Sequence, residues 1–239
     1  MGVNARTSTA SDRRLAVAAG VRDREIVEWI ARLGAADTEQ VARRFGLSKT
    51  WAYERVSRLV RERMLERVRP LPGVPALLVA TQRGLRWCGL GRLGRYRVGV
   101  VRFVHANAVV DTAVGIELAH PEWVVMGERE LRALERETGE VVGSSVVGEL
   151  PNGAPRLHRP DLLVHADGRT IAVEVELSLK AADLLTTICR GWARSRVVDE
   201  VWYLAAPRPA HAVRRAVAAA RAHDRVKVFD YRAPEWRDA

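Results

Sequence analysis

Cysteine is scarce in this chain: the 239 residues include only Cys88 and Cys189, far apart and without a paired spacing. Two isolated thiols favour neither a disulfide framework nor a zinc site, because both need closely grouped ligands or partners. The six histidines also lack zinc-ligand spacing, and we interpret them as ordinary residues. We therefore expect a reduced, cytoplasmic protein with two free thiols.

Long apolar runs are lacking too, because charged residues interrupt every run before about 18 residues, the length that a membrane span needs. We therefore expect no membrane partner. Residues 1–21 are basic and carry only a short, alanine-rich apolar stretch, which is typical of a mobile arm and not of a signal peptide. The chain has no glycine-rich phosphate loop and no nucleophile elbow.

Lysine is rare among the basic residues, since 36 of 39 are arginine, and the positive charge is unevenly placed. Residues 1–100 hold 20 basic and 9 acidic residues, a net charge of +11, whereas residues 101–239 hold 19 and 20, a net charge of −1. An arginine-rich genome would affect both parts alike. The asymmetry therefore predicts a basic module with a polyanionic partner, followed by a near-neutral module.

Three segments with helical spacing follow one another within residues 22–65. Apolar residues on one face mark the first segment, which ends at Gly34. Asp37 caps a short second helix that ends at Gly46, and Ser48 caps a longer, basic third helix. This order is typical of a helix-turn-helix.

The next segments complete a familiar pattern. LERVRP and PALLVAT flank the turn PLPGV and predict a β-hairpin, and QRGLRWCGL predicts a closing helix. Residues 22–90 resemble the winged-helix DNA-binding domains of bacterial transcription regulators, most specifically in RLVRERMLERV, although Met64 replaces the usual glycine. The resemblance implies double-stranded DNA as the partner, and a homodimer is an open alternative because winged helices commonly bind paired half-sites.

A groove-binding helix reads base edges with its N-terminal turns, while nearby arginines bind phosphates. A winged helix used only for protein contact is the alternative, which the +11 charge disfavours. Contact between the basic arm and DNA is also open. We expect Trp51 to be partly buried by packing, with stacking on a base as the alternative. The predicted base-reading residues are Ser48, Lys49, Thr50, Tyr53 and Glu54, and the predicted phosphate-binding residues are Arg55, Arg58, Arg67 and Arg69.

The remaining chain predicts a second domain. Residues 91–100 are rich in glycine and arginine and predict a linker, followed by a domain at 101–232 and a tail at 233–239. Within the domain the predicted order is helix, three strands, helix, strand, helix and strand. This order predicts an α/β sandwich with a mixed central sheet, and the chain as a whole is predicted to be α+β. Residues 137–155 are turn-rich and predict a flexible excursion.

Acidic residues fall on two adjacent predicted strands of this domain. Glu174 and Glu176 are two residues apart, so both point to one face, and Asp161 on the neighbouring strand can lie opposite them. Carboxylates in this arrangement can hold Mg²⁺ or Mn²⁺, which activates water for attack on a phosphodiester. The alternative is that basic side chains neutralise the buried acids, namely Lys180, Arg159 or Arg190.

The strings HRPDLLV and VEVELSLK resemble the restriction-endonuclease-like superfamily, whose pattern is P-D and then (D/E)-x-K on the next strand. Pro160-Asp161 and Glu174 match, but Glu176 stands where the lysine is expected, and Lys180 lies four positions further on. The resemblance implies Asp161, Glu174, Glu176 and Lys180 as the catalytic residues, with Asp161 and Glu174 as the metal ligands.

Over residues 22–231 the arrangement resembles the replication-relaxation proteins of plasmids and integrated elements, in which a winged helix precedes a nuclease-like domain. The resemblance implies a DNA-binding protein, of a kind often labelled a transcription regulator, whose second domain need not cut DNA. A Mg²⁺-dependent endonuclease targeted by the winged helix is the alternative, and a partner-binding module without a DNA role is a weaker one. Glu117 is either a further acid of the site or part of a solvated helix face.

Overall fold

The first half of the chain folds into four helices and a β-hairpin. The computed structural model describes residues 10–69 and 72–231. The elements of this half are α1 Ala10–Leu33, α2 Thr38–Phe45, α3 Lys49–Arg61, β1 Leu65–Val68, β2 Leu77–Ala80 and α4 Gln82–Trp87.

Local hydrogen bonds set the ends of α2 and α3. The Asp37 carboxylate accepts a bond from the Gln40 backbone N–H at 2.7 Å, and the Gln40 side chain accepts one from the Asp37 N–H at 2.9 Å. Gly46 ends α2 in the left-handed region, with φ of 60°. Ser48 then caps α3 by accepting a bond from the Trp51 N–H at 3.2 Å. The predicted starts of α2 and α3 and the end of α2 at Gly46 are thus confirmed, whereas α3 ends at Arg61, four residues before its predicted end at Leu65.

The first helix is longer than predicted. The sequence predicts a mobile arm at residues 1–21, but α1 begins at Ala10 and continues to Leu33 without a break. Its first turns are rich in alanine and arginine, which have high helix propensity, and they contain no proline. Residues 1–9 lie outside the described part of the chain.

One face of α3 packs into the core of this half. β1 and β2 are antiparallel, with Leu65 opposite Ala80, and they close over the helices. Burial of this face leaves the opposite face of α3 directed outward. Fully or almost fully buried core members include Ile26, Ile30, Val41, Val56, Leu59, Leu65 and Leu78.

The second half alternates helices and strands. Within the described ranges, no helix in either half combines the length and apolar character that crossing a membrane requires. The elements of this half are α5 Phe103–Ala119, β3 Val124–Gly127, α6 Glu128–Thr138, β4 Ser145–Glu149, β5 Pro155–His158, β6 Leu162–Ala166, β7 Arg169–Glu176, α7 Ala182–Arg194, β8 Glu200–Ala205, α8 Pro207–Ala220 and β9 Val226–Asp230.

Five of these strands form one mixed sheet in the order β3-β6-β7-β8-β9. The strands β3, β6 and β7 are antiparallel, whereas β7, β8 and β9 are parallel. Apolar residues of α7 and α8 pack on one face of the sheet, and α5 packs on the other. The α+β class and the mixed central sheet predicted from the sequence are confirmed.

Residues 137–155 are more ordered than the predicted flexible excursion. They contain β4, which pairs with β5 as a separate antiparallel hairpin. This hairpin lies tightly against α7: a Cβ atom at Gly191 would approach Ser145 Oγ to 2.8 Å, so the contact requires glycine. The valine pairs of this segment are flanked by glycines, which interrupt the apolar pattern that indicates a strand. The hairpin brings His158, at the end of β5, towards the main sheet.

The segment predicted as a linker, residues 91–100, is packed against both halves. Arg129 on α6 donates hydrogen bonds to the carbonyl oxygens of Leu93 and Gly94, at 3.0 and 2.7 Å. Its guanidinium also lies over the Tyr96 ring, 5.5 Å from the centroid. The same ring covers Gly34, where a Cβ atom would meet it at 3.0 Å.

A buried polar contact joins α2 to α5. Gln40, which is 0% exposed, donates from Nε2 to Asn107 Oδ1 at 2.6 Å and to Asp111 Oδ1 at 2.9 Å. Val110 and Val114 of α5 belong to the core of the first half. The two halves therefore share one packed interface.

Candidate functional site

The first turn of α3 carries most of the residues predicted to read bases. Ser48 caps the helix, and Lys49, Thr50 and Tyr53 are exposed. Lys49 forms an ion pair with Glu39 of α2 at 3.1 Å, yet its side chain remains 88% exposed. This turn is therefore open to contact with a ligand.

Arg55 and Arg58 lie on the side of α3 that faces α1. Both pair with the buried Asp23: Arg55 Nη1 is 2.9 Å from one carboxylate oxygen, and Arg58 donates to the other. The Arg55 side chain is 15% exposed and that of Arg58 is 39% exposed. The structure corrects the prediction that Arg55 faces phosphate, because its guanidinium neutralises a buried carboxylate. Arg58 has only the outer part of its side chain available.

The β1–β2 hairpin adds two basic side chains beside α3. Arg67 lies over the Tyr53 ring, 5.2 Å from the centroid, and donates a hydrogen bond to Ser57 Oγ at 3.0 Å. Arg69 is exposed just beyond the end of β1. These side chains help to line a cavity of about 310 Å³ between the start of α2, α3 and the hairpin.

Further exposed residues extend this surface. Glu54 and Arg61 are exposed and lie two helical turns apart, on the outward line of α3. Helical spacing alone could have revealed Arg61. Trp51, expected to be partly buried, is 60% exposed, because it lies beside and not within the buried face of α3. We use the term basic face for four exposed side chains: Lys49, Arg61, Arg67 and Arg69.

The three acids predicted as catalytic lie at the same end of adjacent strands. Asp161 immediately precedes β6, and Glu174 and Glu176 are the last acidic residues of β7. Asp161 Oδ2 accepts a hydrogen bond from the Val175 N–H at 2.8 Å, which ties its carboxylate to β7. Glu174 and Glu176 are each 3% exposed. Burial this deep requires partners for their charges.

Each of the three acids has a basic side chain within hydrogen-bond distance. Two of these partners, His105 and His158, were not predicted from the sequence, because the spacing of the histidines indicates no shared site. The pairs are His105 Nε2 with Asp161 Oδ1 at 2.9 Å, His158 Nε2 with Glu174 Oε1 at 2.6 Å, and Lys180 Nζ with Glu176 Oε2 at 2.5 Å.

The acids favour the charged form of these partners. The hydrogen bond to Asp161 raises the pKa of His105 above 6.5. Burial acts to lower the pKa of His158 and of Lys180, but the negative charge of Glu174 and the hydrogen bonds to the acids outweigh it, so both pKa values are raised. The result is a compact cluster of three acids and three basic side chains, which we call the carboxylate cluster.

The donor atoms of the carboxylate cluster do not fit a divalent ion as the side chains stand. Mg²⁺ is bound through free carboxylate oxygens and water. Asp161, however, uses one oxygen for His105 and the other for a backbone N–H. Glu174 holds His158. Across residues 10–69 and 72–231, no three His, Cys, Asp or Glu side chains are arranged to hold a metal. Asp161 and Glu174, predicted to bind Mg²⁺ or Mn²⁺, hold internal partners instead.

Two other charged residues considered for this site serve elsewhere. Arg159 pairs with the buried Glu135 of α6, with Nε 3.0 Å from Oε2. Glu117 accepts hydrogen bonds from Trp29 Nε1 at 2.9 Å and from Arg44 Nε at 2.6 Å. Glu117 is therefore neither a further acid of the cluster nor simply solvated, since it ties α5 to α1 and α2.

Comparison with protein-family models and with characterised proteins finds no match for this chain.

Proposed function

We propose that this protein binds double-stranded DNA through residues 22–90, with α3 as the groove-binding helix of a winged helix and the β1–β2 hairpin as its wing. The order of helices and strands in this half supports the proposal. The observation that carries it is the basic face: Arg67 and Arg69 of the hairpin line one cavity with Tyr53 of α3. Lys49 pairs with Glu39 at the edge of the same cavity, and Arg61 is exposed on the outward line of α3. A concave surface that carries exposed lysine and arginine side chains can complement a phosphate-lined groove.

In this proposal each part of the surface has a separate task. A helix of about 10–12 Å in diameter fits the major groove, which is about 12 Å wide. Thr50 and Glu54, on the outward line of α3, would face base edges, where a glutamate accepts a hydrogen bond from cytosine. The basic face would bind phosphates and supply most of the affinity. Arg55, through Asp23, would hold α3 at its angle to α1.

The second half is proposed to be a nuclease-like scaffold that does not cut DNA. The order of α5, three antiparallel strands of the sheet, α7 and the parallel strand β8 supports the resemblance to the restriction-endonuclease-like superfamily. Internal pairing of the acids by His105, His158 and Lys180 supports the absence of cutting. Such a protein would act in the replication or mobilisation of a plasmid or integrated element, in the manner of the replication-relaxation proteins.

DNA binding is tested by fluorescence anisotropy with a labelled duplex of about 20 base pairs, two helical turns. The double variant Arg67→Ala/Arg69→Ala should bind at least about tenfold more weakly than the wild type, because two phosphate contacts are lost. The matched control is Arg208→Ala/Arg215→Ala, which removes two exposed arginines of α8. Equal affinity of the two double variants for the duplex would refute the assignment of the surface.

The absence of cutting is tested by incubating supercoiled plasmid with the protein and Mg²⁺ or Mn²⁺. We expect the wild type to nick no more DNA than the Glu174→Gln variant, since Glu174 is paired with His158. Nicking by the wild type that Glu174→Gln abolishes would instead establish the alternative, a metal-dependent endonuclease.

A further inference from the structure

Two large aromatic side chains stand out on the surface proposed to contact DNA. Trp51 and Tyr53 lie in the first two turns of α3, and each is 60% exposed. They flank Ala52, which is fully buried, at about 100° to either side of it around the helix. The two rings are therefore placed on opposite flanks of the outward line of α3.

The two rings differ in what holds them. Tyr53 lies beneath Arg67 of the hairpin, which fixes one side of its ring. For Trp51, no hydrogen bond, ion pair or ring contact of the indole occurs with any residue in the ranges 10–69 and 72–231. Its backbone N–H is engaged by the Ser48 cap. The indole of Trp51, which is 60% exposed, thus remains open to an external partner.

The open indole face points to a planar partner. Paired bases in a duplex present only their edges to the major groove, and the thymine methyl group would cover a small part of an indole. An unpaired base, in contrast, offers a whole ring face for stacking on an aromatic side chain. Lys49, which is 88% exposed, lies about 200° from Trp51 around the helix, so it can bind phosphates on the other side of α3.

We propose that Trp51 stacks on an unpaired or extruded base, so that the preferred ligand is duplex DNA that contains locally unpaired bases, and not a fully paired duplex. This inference rests on the proposed function, because it names the class of DNA that the same surface selects. The basic face binds the duplex arms through phosphates, and Trp51 adds a contact that only the unpaired site can supply. Tyr53 is a positioning residue that orients Arg67.

The test compares two labelled probes in anisotropy titrations at one salt concentration: a matched duplex of about 20 base pairs and the same duplex with a short internal bubble of mismatched bases. The wild type should bind the bubble about tenfold more tightly, as one base–aromatic stack provides. Trp51→Ala should lose that preference and keep the affinity for the matched duplex. Trp51 is exposed, so the replacement leaves the core intact, and circular dichroism checks the fold.

Two conservative variants separate stacking from simple apolar contact. Trp51→Phe keeps an aromatic face and should retain most of the preference for the bubble. Trp51→Leu keeps apolar bulk without a ring face and should lose it. Retention of the preference in Trp51→Leu would overturn stacking as the mechanism. A 2-aminopurine base in the bubble gives an independent readout, since its fluorescence should fall on binding the wild type and not on binding Trp51→Ala.

The outcomes also separate this inference from the function on which it rests. Equal, salt-dependent binding of both probes by the wild type would overturn the inference while leaving duplex binding in place. Failure to bind either probe at low salt would overturn the proposed function itself. An equal loss of affinity for both probes in Trp51→Ala would show a general contact and would overturn selection of unpaired bases.

Discussion

The buried contact between α2 and α5 gives a stability prediction that can be worked out from the geometry. Gln40 closes the reciprocal cap of α2 with Asp37 and also bonds to Asn107 and Asp111 of α5. Gln40→Ala removes all of these bonds at once from a site that is 0% exposed. The interface between the two halves would lose its central polar contact.

The expected cost follows from the groups left behind. Losing one member of a reciprocal helix cap costs about 0.5–1 kcal/mol. A buried acceptor left without its donor costs about 1–3 kcal/mol, and this applies most fully to Asn107, since Asp111 retains Arg43 at 3.3 Å. We therefore expect Gln40→Ala to lower the free energy of unfolding by about 2–4 kcal/mol.

Urea denaturation followed by circular dichroism measures this change. The chain offers a matched control in Gln82→Ala, because Gln82 also lies in the first turn of a helix but is exposed. That variant should stay within about 0.5 kcal/mol of the wild type. A loss below about 1 kcal/mol for Gln40→Ala would refute the reasoning that this contact joins the halves.

Three further predictions concern the core and the carboxylate cluster. Because Glu174 raises the pKa of His158, their interaction stabilises the fold fully below the ordinary pKa of 6.5, and this stabilisation is lost as pH rises through the raised value. Urea denaturation should therefore show a stability difference between the wild type and His158→Asn that shrinks from mildly acidic to alkaline pH. A difference that grows over this range would contradict the reasoning. Burial raises the pKa of Cys88 to about 11 and that of Cys189 to about 12, so neither thiol should react with Ellman's reagent at neutral pH until the protein is unfolded. Rapid reaction of the native protein would disprove their burial. Gly84→Ala places a Cβ atom 2.2 Å from the backbone carbonyl oxygen of Met64, the residue before β1. The melting temperature should therefore fall by several degrees, and an unchanged value would contradict that packing.

Features encoded within a few residues of sequence were predictable. The caps at Asp37 and Ser48 and the glycine at Gly46 act over three or four positions, so both limits of α2 and the start of α3 follow from the sequence. The strands of the main sheet were predictable for the same reason, because alternating or continuous apolar runs mark them.

Contacts between distant residues were not predictable in this way. Arg55 and Asp23 are 32 positions apart, and His105 and Asp161 are 56 apart. Whether Arg55 faces solvent or a carboxylate depends on how α3 lies across α1, which helical periodicity does not specify. His158 adjoins the R-P-D string, but its contact with Glu174 depends on a hairpin whose strand pattern is hidden among glycines.

The salt dependence of duplex binding tests the central claim most directly. Each phosphate neutralised by a basic side chain contributes about −0.9 to the slope of log K against log salt concentration. Four phosphate contacts by the basic face predict a slope of about −3 to −4 for the wild type, and replacement of Lys49, Arg61, Arg67 and Arg69 by alanine should bring it close to zero. A wild-type slope already near zero, or one that this replacement leaves unchanged, would contradict the account.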